Sequence, residues 1–334
     1  MKVDAGLMGG LGEVPKRIAE LEAAGYDGAI TAETSHDPFF PLLLAAEHST
    51  RIELMTSIAV AFARSPMILA NLAHDLNAYS KGRFILGLGS QIQPHITKRF
   101  SMPWSHPAPR MRELILAMRA IWATWYEGKK LEFRGEFYTH TLMTPMFTPL
   151  DTKYGVPKVF LAAVGPLMTE VAGETADGMI AHAFTTERYL REVTLPALER
   201  GLAKSGRKRA EFQLAFPAFV VTGANEKAWV DSRTAVCKQI AFYGSTPAYR
   251  PVLELHGWGG LQTELNSLSK QGQWDKMGEL IDDKILDAFA IVGSPDEIVP
   301  KLRSRYGDCV DRVSLTFSFG ARASAQELIS KLHG

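Results

Sequence analysis

The sequence predicts an α/β fold: one barrel of eight parallel strands, each followed by a helix, spanning residues 1–334. Three observations predict it. Strand-like apolar runs alternate with helical periodicities along the whole chain. The runs are short and nearly continuous in apolar residues, as strands buried on both faces of a parallel sheet must be. Eight such units can be counted, and eight favour a closed (β/α)8, or TIM, barrel over an open doubly wound sheet. Such barrels usually take about 250 residues. The excess in this 334-residue chain falls in two insertions, about 91–158 after the fourth strand and about 244–287 after the seventh.

Each element has its own signal. Val3 to Met8 is a first apolar strand, followed by a helix in which Val14, Ile18 and Leu21 recur at helical spacing until Gly25 stops it. Residues 27–33 form a second strand and 39–48 a short helix. A third strand, 52–60, carries a polar Thr56-Ser57 pair inside it, which either bonds locally to backbone or lines a bulge beside a ligand. Pro66 opens the next helix, Lys81-Gly82-Arg83 ends it, and 84–89 (FILGLG) is the fourth strand. Residues 91–109 hold Pro94, Pro103, Pro107 and Pro109 and predict a loop. Met111 to Trp125 is amphipathic with three-four spacing. A small hairpin (LEFRGEFYTH) and a Pro-rich loop occupy 129–157. The alternation resumes with strand 159–164, helix 167–176, strand 178–183, helix 187–203, strand 212–222 and helix 226–242. Short helices are expected in 244–287, a brief apolar segment at 289–293, a helix from Pro295, a last strand at 310–317 and a final helix at 324–332.

Composition narrows the function classes. A net charge of +1 argues against a general nucleic-acid or membrane-surface role. No apolar run approaches the roughly 18 residues of a membrane span, and the first residues lack a signal-peptide layout. Cys237 and Cys309 are lone cysteines without metal-type spacing, the pattern of buried thiols in a reducing, cytoplasmic setting. No metal site is expected. A GxSxG elbow, a Walker-type GxxxxGK[ST] and a dinucleotide GxGxxG are all absent.

Barrel enzymes place their chemistry at the C-terminal ends of the strands. That rule gathers Glu33-Thr34-Ser35-His36-Asp37, Thr56-Ser57 with Arg64, Ser90-Gln91, Val164-Gly165 and His182-Ala183-Phe184 at one mouth. The stretch 159–178 carries the clearest signal: an apolar strand breaks at Gly165-Pro166 and feeds a helix. Free N–H groups and the helix dipole favour an anion there, although an ordinary strand–helix turn has the same sequence pattern. His36 suits proton transfer because imidazole titrates near neutrality; it could equally order its own loop through Asp37. His182 is either a substrate contact or a packed histidine. His95 and Arg99 share a helix face near the mouth or simply a solvated one, and Arg64 holds either a phosphate or a neighbouring carboxylate. Few ionisable groups and a phosphate cradle suit a cofactor that brings its own reactivity.

TAETSHDPF (31–39), TSIAVAFARSP (56–66), GRFILGLGSQ (82–91), AAVGPLMTEVAGETADG (162–178) and VGSPDEI (292–298) occur in an order and spacing that resemble the bacterial luciferase-like monooxygenases. Within them the chain is similar to the branch that uses the deazaflavin coenzyme F420. The resemblance implies an eight-stranded barrel with a non-prolyl cis peptide at Ser57-Ile58 behind the deazaflavin. It implies that Ser90 and Gln91 line the cofactor, and that Ala162, Ala163, Val164, Gly165, Pro166 and Leu167 bind its phosphate. His36 matches a histidine beside the deazaflavin, a catalytic candidate. Related dehydrogenases carry a glutamate shortly after strand four, where Ile92 stands here.

The expectation is an oxidoreductase passing a hydride between coenzyme F420 and a small organic substrate. Phe39, Phe62, Trp104, His182 and Phe184 would form its substrate pocket, or serve as plain core packing. One alternative is an FMN-dependent monooxygenase on the same fold; another is a cofactor-binding protein without turnover. The resemblance also implies a homodimer; the apolar helices after strands two and three could serve such an interface or face the barrel only.

Overall fold

Strands β1 (Lys2–Gly6), β2 (Gly28–Thr31), β3 (Glu53–Thr56), β4 (Ala59–Val60) and β5 (Phe84–Gly89) open a computed structural model that describes residues 1–317 and 325–333. They are followed by a hairpin of β6 (Phe133–Arg134) and β7 (Thr139–His140). Then come β8 (Lys158–Ala163), β9 (Gly178–Ala181), β10 (Gln213–Val221), β11 (Ala290–Val292) and β12 (Arg312–Phe317). The fold is the predicted eight-stranded parallel barrel with surrounding helices.

The chain makes two compact units. One comprises residues 4–180 and 197–213. Within it β1, β2, β3, β5, β8 and β9 lie side by side in that order, with β4 also on β5. The register runs Ala5 opposite Ala29, Ala29 opposite Leu54, Leu54 opposite Phe84 and Leu86 opposite Val159. Every residue of β5 is buried, as a strand covered on both faces requires. The other unit comprises residues 1–3, 181–196 and 214–334. There β10 lies between β12 and the short β11, both parallel to it. Phe219, Val221, Ile240, Leu253, Leu265, Leu286 and Phe289 belong to its buried core.

Most sequence-predicted elements appear within a residue or two of their expected ends. Three differ in substance. The third strand is two pieces, β3 and β4, broken at residues 57–58. The predicted loop 91–109 contains a π-helical turn, His95–Arg99, and the following helix begins early, at Pro107, where proline's missing N–H is harmless. The predicted helix 187–203 holds a π-helical turn at Leu190–Thr194; Pro196, just after it, has no N–H to offer the Glu192 carbonyl. The final helix is Ala325–His333; residue 324 of the predicted one lies outside the described residues. No described helix is long and apolar enough to cross a membrane.

Candidate active site

The loop after β2 and the segment joining β3 to β4 are tied together by Glu33. Its N–H donates to the Ile58 carbonyl at 3.1 Å, and its carboxylate accepts from the Val60 N–H at 2.7 Å. The same carboxylate takes Arg64 Nη1 at 2.7 Å and Nη2 at 3.1 Å, and both side chains are largely buried. Arg64 also donates to the Val60 carbonyl at 3.1 Å and to Asp37 at 3.2 Å, with its guanidinium over the Phe39 ring. Carboxylates are therefore Arg64's partners. Asp37 spends its other oxygen on the Phe39 N–H at 2.8 Å, opening the helix Phe39–Glu47. Neither oxygen goes to His36. That histidine is exposed and makes no side-chain hydrogen bond among the described residues. A side chain with no structural partner at a strand's C-terminal end is available to a ligand.

The break between β3 and β4 contains a cis peptide, Ser57–Ile58. Thr56, completely buried, meets the neighbouring strand through its side chain. Its hydroxyl donates to the Gly87 carbonyl at 2.7 Å and accepts from the Gly87 N–H at 2.9 Å. A Cβ on Gly87 would sit 1.8 Å from the Thr56 carbonyl oxygen, and one on Gly89 would sit 2.9 Å from the Ile58 side chain. Glycines on β5 thus make room for this segment. Beyond β5, Gln91 adopts a left-handed φ of 60°, uncommon for a non-glycine residue. Its side-chain oxygen accepts from the Ile92 N–H at 3.0 Å, while the Ser90 hydroxyl donates to the Gln91 carbonyl at 3.1 Å. Ile92 is half exposed. Arg99 of the π-helical turn donates to the Thr34 carbonyl and covers Phe100, which ties that turn to the β2 loop.

Phe62 and Trp104 meet edge to face, their ring centroids 5.7 Å apart. Phe62 is fully buried and Trp104 half-buried. Arg110, in the first turn of helix Pro107–Glu127, stacks its guanidinium 4.5 Å from the Phe62 centroid. It donates to the Pro103 carbonyl at 2.8 Å and to the Tyr138 hydroxyl at 3.0 Å. Burial pushes the Tyr138 phenol upward, against the pull of the arginine.

At the end of β8, Gly165 caps helix Pro166–Thr175 without a side-chain cap. Pro166 has no N–H, and the Thr169 N–H is taken by the Gly165 carbonyl at 3.0 Å. The first-turn N–H groups of Leu167 and Met168 remain for an outside acceptor. A Cβ on Gly165 would meet nothing within 4 Å, so the approach is open. Ala163 is buried, Ala162 and Val164 partly so, and Leu167 is exposed.

In the other unit, His182 follows β9. Its Nδ1 accepts from the Phe184 N–H at 3.0 Å and its Nε2 meets the Tyr249 hydroxyl at 3.1 Å. Tyr249 stacks on the imidazole at 4.5 Å and Tyr243 meets it edge-on at 4.7 Å. Burial lowers the His182 pKa to about 4 and raises that of Tyr249 to about 12. The ring is neutral at pH 7, with Nδ1 occupied as an acceptor. Phe184 is fully buried against Phe289 at 4.6 Å.

Residues 2–312 match the family model described as luciferase-like monooxygenase. The chain belongs to the luciferase-like monooxygenase family. It is thereby an oxidoreductase by family. A Mycobacterium tuberculosis protein described only as uncharacterized is 57% identical over 330 residues, covering 99% of this chain and 96% of its own length. The 5,10-methylenetetrahydromethanopterin reductase of Archaeoglobus fulgidus is 28% identical over 292 residues, 86% of this chain and 83% of that protein. The structure of a coenzyme F420 dependent tetrahydromethanopterin reductase from Methanopyrus kandleri superposes with a TM-score of 0.78 at 21% identity. The match covers 99% of this chain and 96% of that one, a likeness of fold.

In this luciferase-like chain, His36, Ser57, Ile58, Ser90, Gln91 and 162–167 all fall at or just after the C-terminal ends of β2, β3, β5 and β8, in one unit. Phe62 and Trp104 touch, whereas Phe39 packs beneath Arg64. His182 and Phe184 are joined by a hydrogen bond in the other unit. The sequence reading missed Glu33 as the hub of the site, and it missed Arg110, Tyr138 and Tyr249. One signal for Arg110 was present: it stands four residues before Leu114 on the apolar face of its helix, a place where a charge needs a reason.

Proposed function

We propose that this protein is a coenzyme F420-dependent oxidoreductase acting on a small organic substrate. The observation that carries the reading is the uncapped helix start at Gly165-Pro166, with open N–H groups at the end of β8. A phosphate fits such a terminus, because backbone donors and the helix dipole both favour an anion. The 5,10-methylenetetrahydromethanopterin reductase named above, a reductase by name, lends support at 28% identity. The F420 dependence printed for the Methanopyrus enzyme points to the same cofactor.

In this reading residues 162–167 hold the phosphate, and Ser57, Ile58, Ser90 and Gln91 flank the ring. Bound there, a deazaflavin supplies hydride transfer. His36, free of structural duty, holds or moves a proton beside it. Trp104, half-buried, walls the substrate space on the same unit with the fully buried Phe62 packed behind it and Phe39 beneath Arg64, while His182 and Phe184 belong to the other unit. Ile92 stands near the place where related dehydrogenases carry a glutamate, so in this reading protonation comes from water or another loop. A homodimer belongs to the same proposal: Phe40, Leu43 and Ile68 leave 61%, 43% and 52% of their surface exposed on two helices that pack together. A cytoplasmic setting fits the two buried thiols, Cys237 and Cys309.

The deciding experiment titrates the protein with oxidised F420 and, separately, with FMN while following tryptophan fluorescence. Saturable quenching by F420 at a concentration at least ten-fold lower than FMN is expected. Tighter binding of FMN would move the protein to the monooxygenase alternative. Binding of F420 without any turnover would leave a carrier of the cofactor rather than an enzyme.

A further inference from the structure

Arg110 and Arg83 pose the same physical problem and solve it differently. Both carry a guanidinium cation, and among the described residues neither has a carboxylate within ion-pair distance. Arg83 spends all five N–H donors on protein oxygens: the carbonyls of Ser80, Ile52, Ala46 and Ser49, and the Ser49 hydroxyl. That is a structural arginine. Arg110 is 8% exposed, yet spends only two donors, on the Pro103 carbonyl and the Tyr138 hydroxyl. Among the described residues its Nη2 makes no hydrogen bond. Neutral ring faces, Phe62 at 4.5 Å and Tyr138 at 5.8 Å, surround the charge. The nearby Glu113 carboxylate is committed elsewhere, accepting the N–H groups of Glu136, Phe137 and Tyr138 at 2.9, 2.7 and 2.6 Å.

A buried cation without a counter-charge is costly, and the cost falls when an anion arrives in a geometry the guanidinium fork can grip. We infer that Arg110 is the anion-binding residue of the substrate space, and that the substrate carries a carboxylate. The fork's open Nη2 side would receive the carboxylate. Trp104, half-buried, would flank the body of the molecule, with the fully buried Phe62 ring packed behind it. This deepens the oxidoreductase reading and rests on it only in assigning the anion to the substrate rather than to the cofactor.

Benzoate and benzamide, alike in shape and different in charge, are suitable probes. Calorimetric titration of the cofactor-free protein at low salt is expected to give saturable benzoate binding, with benzamide at least ten-fold weaker. Arg110→Gln should lose the preference and Arg110→Lys should keep part of it. Raising the salt should weaken benzoate alone. F420 affinity, measured separately in Arg110→Gln, should stay within about three-fold of the parent. Equal affinity for the two probes in the parent protein up to 50 mM overturns the inference. So does unchanged benzoate binding in Arg110→Gln. A ten-fold loss of F420 affinity in that variant also overturns it, by giving the anion to the cofactor. If Arg110→Gln fails to fold, the parent comparison and Arg110→Lys decide. Failure of F420 to bind the parent, with benzoate selectivity intact, would overturn the cofactor reading and the word "substrate" while leaving the anion site standing.

Discussion

Glu33 grips both ends of the Arg64 guanidinium, at 2.7 and 3.1 Å, while its own backbone N–H holds the Ile58 carbonyl. Two loops that carry candidate site residues, one with His36 and one with Ser57, are therefore joined through a single side chain. Arg64→Ala should leave the Glu33 carboxylate buried and largely uncompensated. A loss of about 2–4 kcal/mol in urea unfolding is expected, together with weaker F420 binding. Arg64→Lys should restore stability only partly, because an ammonium cannot match the two-point contact. Wild-type stability in Arg64→Ala would show that the pair contributes nothing.

His36 has no structural partner, so its removal should cost chemistry rather than folding. His36→Ala is expected to lower turnover by about 10²–10⁴-fold, the range for loss of a general acid or base. F420 affinity should change by less than three-fold. Turnover equal to the parent would remove His36 from the mechanism.

The helix start at Gly165 offers a test that separates binding from folding. Gly165 has an ordinary extended conformation, φ −96° and ψ 165°, and open space around its missing Cβ. Gly165→Asp should therefore fold normally and gain a few tenths of a kcal/mol from a side-chain cap. The same carboxylate would occupy the N–H groups and repel a phosphate. A ten-fold or greater loss of F420 affinity with an unchanged or raised Tm is expected; unchanged affinity would put the phosphate elsewhere.

His182 makes stability depend on pH. Burial lowers its folded-state pKa from 6.5 to about 4. Between those values the unfolded chain binds a proton that the folded chain does not, so stability falls as the pH drops through this window. The full effect is up to about 3 kcal/mol, reached below pH 4 and absent above about pH 7. His182→Gln should flatten the unfolding free energy between pH 6.5 and 4. An identical slope in the variant would assign the acid sensitivity to other groups.

Much of the fold was legible because the local signals agreed. Strand β5 was bounded correctly at both ends. A turn with left-handed Lys81 and Gly82, φ 57° and 85°, precedes it, and the apolar run stops at Ser90. Residues 52–60 read as one strand because they are nearly all apolar or β-branched, and the polar Thr56-Ser57 pair allows a bulge without requiring one. Only the resemblance to known proteins marks a cis peptide at 57–58. Side-chain pairing was harder to read. Asp37 follows His36 in sequence but bonds Arg64, 27 residues on. Arg64 left two partners open in the sequence, phosphate or carboxylate, and only the folded chain brings Glu33 to it. Arg110 was overlooked for a similar reason: its ring neighbours, Phe62 and Tyr138, lie far away along the chain.

The Thr56 hydroxyl does for Gly87 what a main-chain rung does elsewhere in a sheet, giving and receiving at once. Valine, the same shape without the oxygen, would strand an amide and a carbonyl inside the wall of the barrel. Alanine at position 87 would collide with the backbone opposite. The clash at 87 falls on main chain, so no side chain at 56 can relieve it, and the seam depends on each residue for a separate reason.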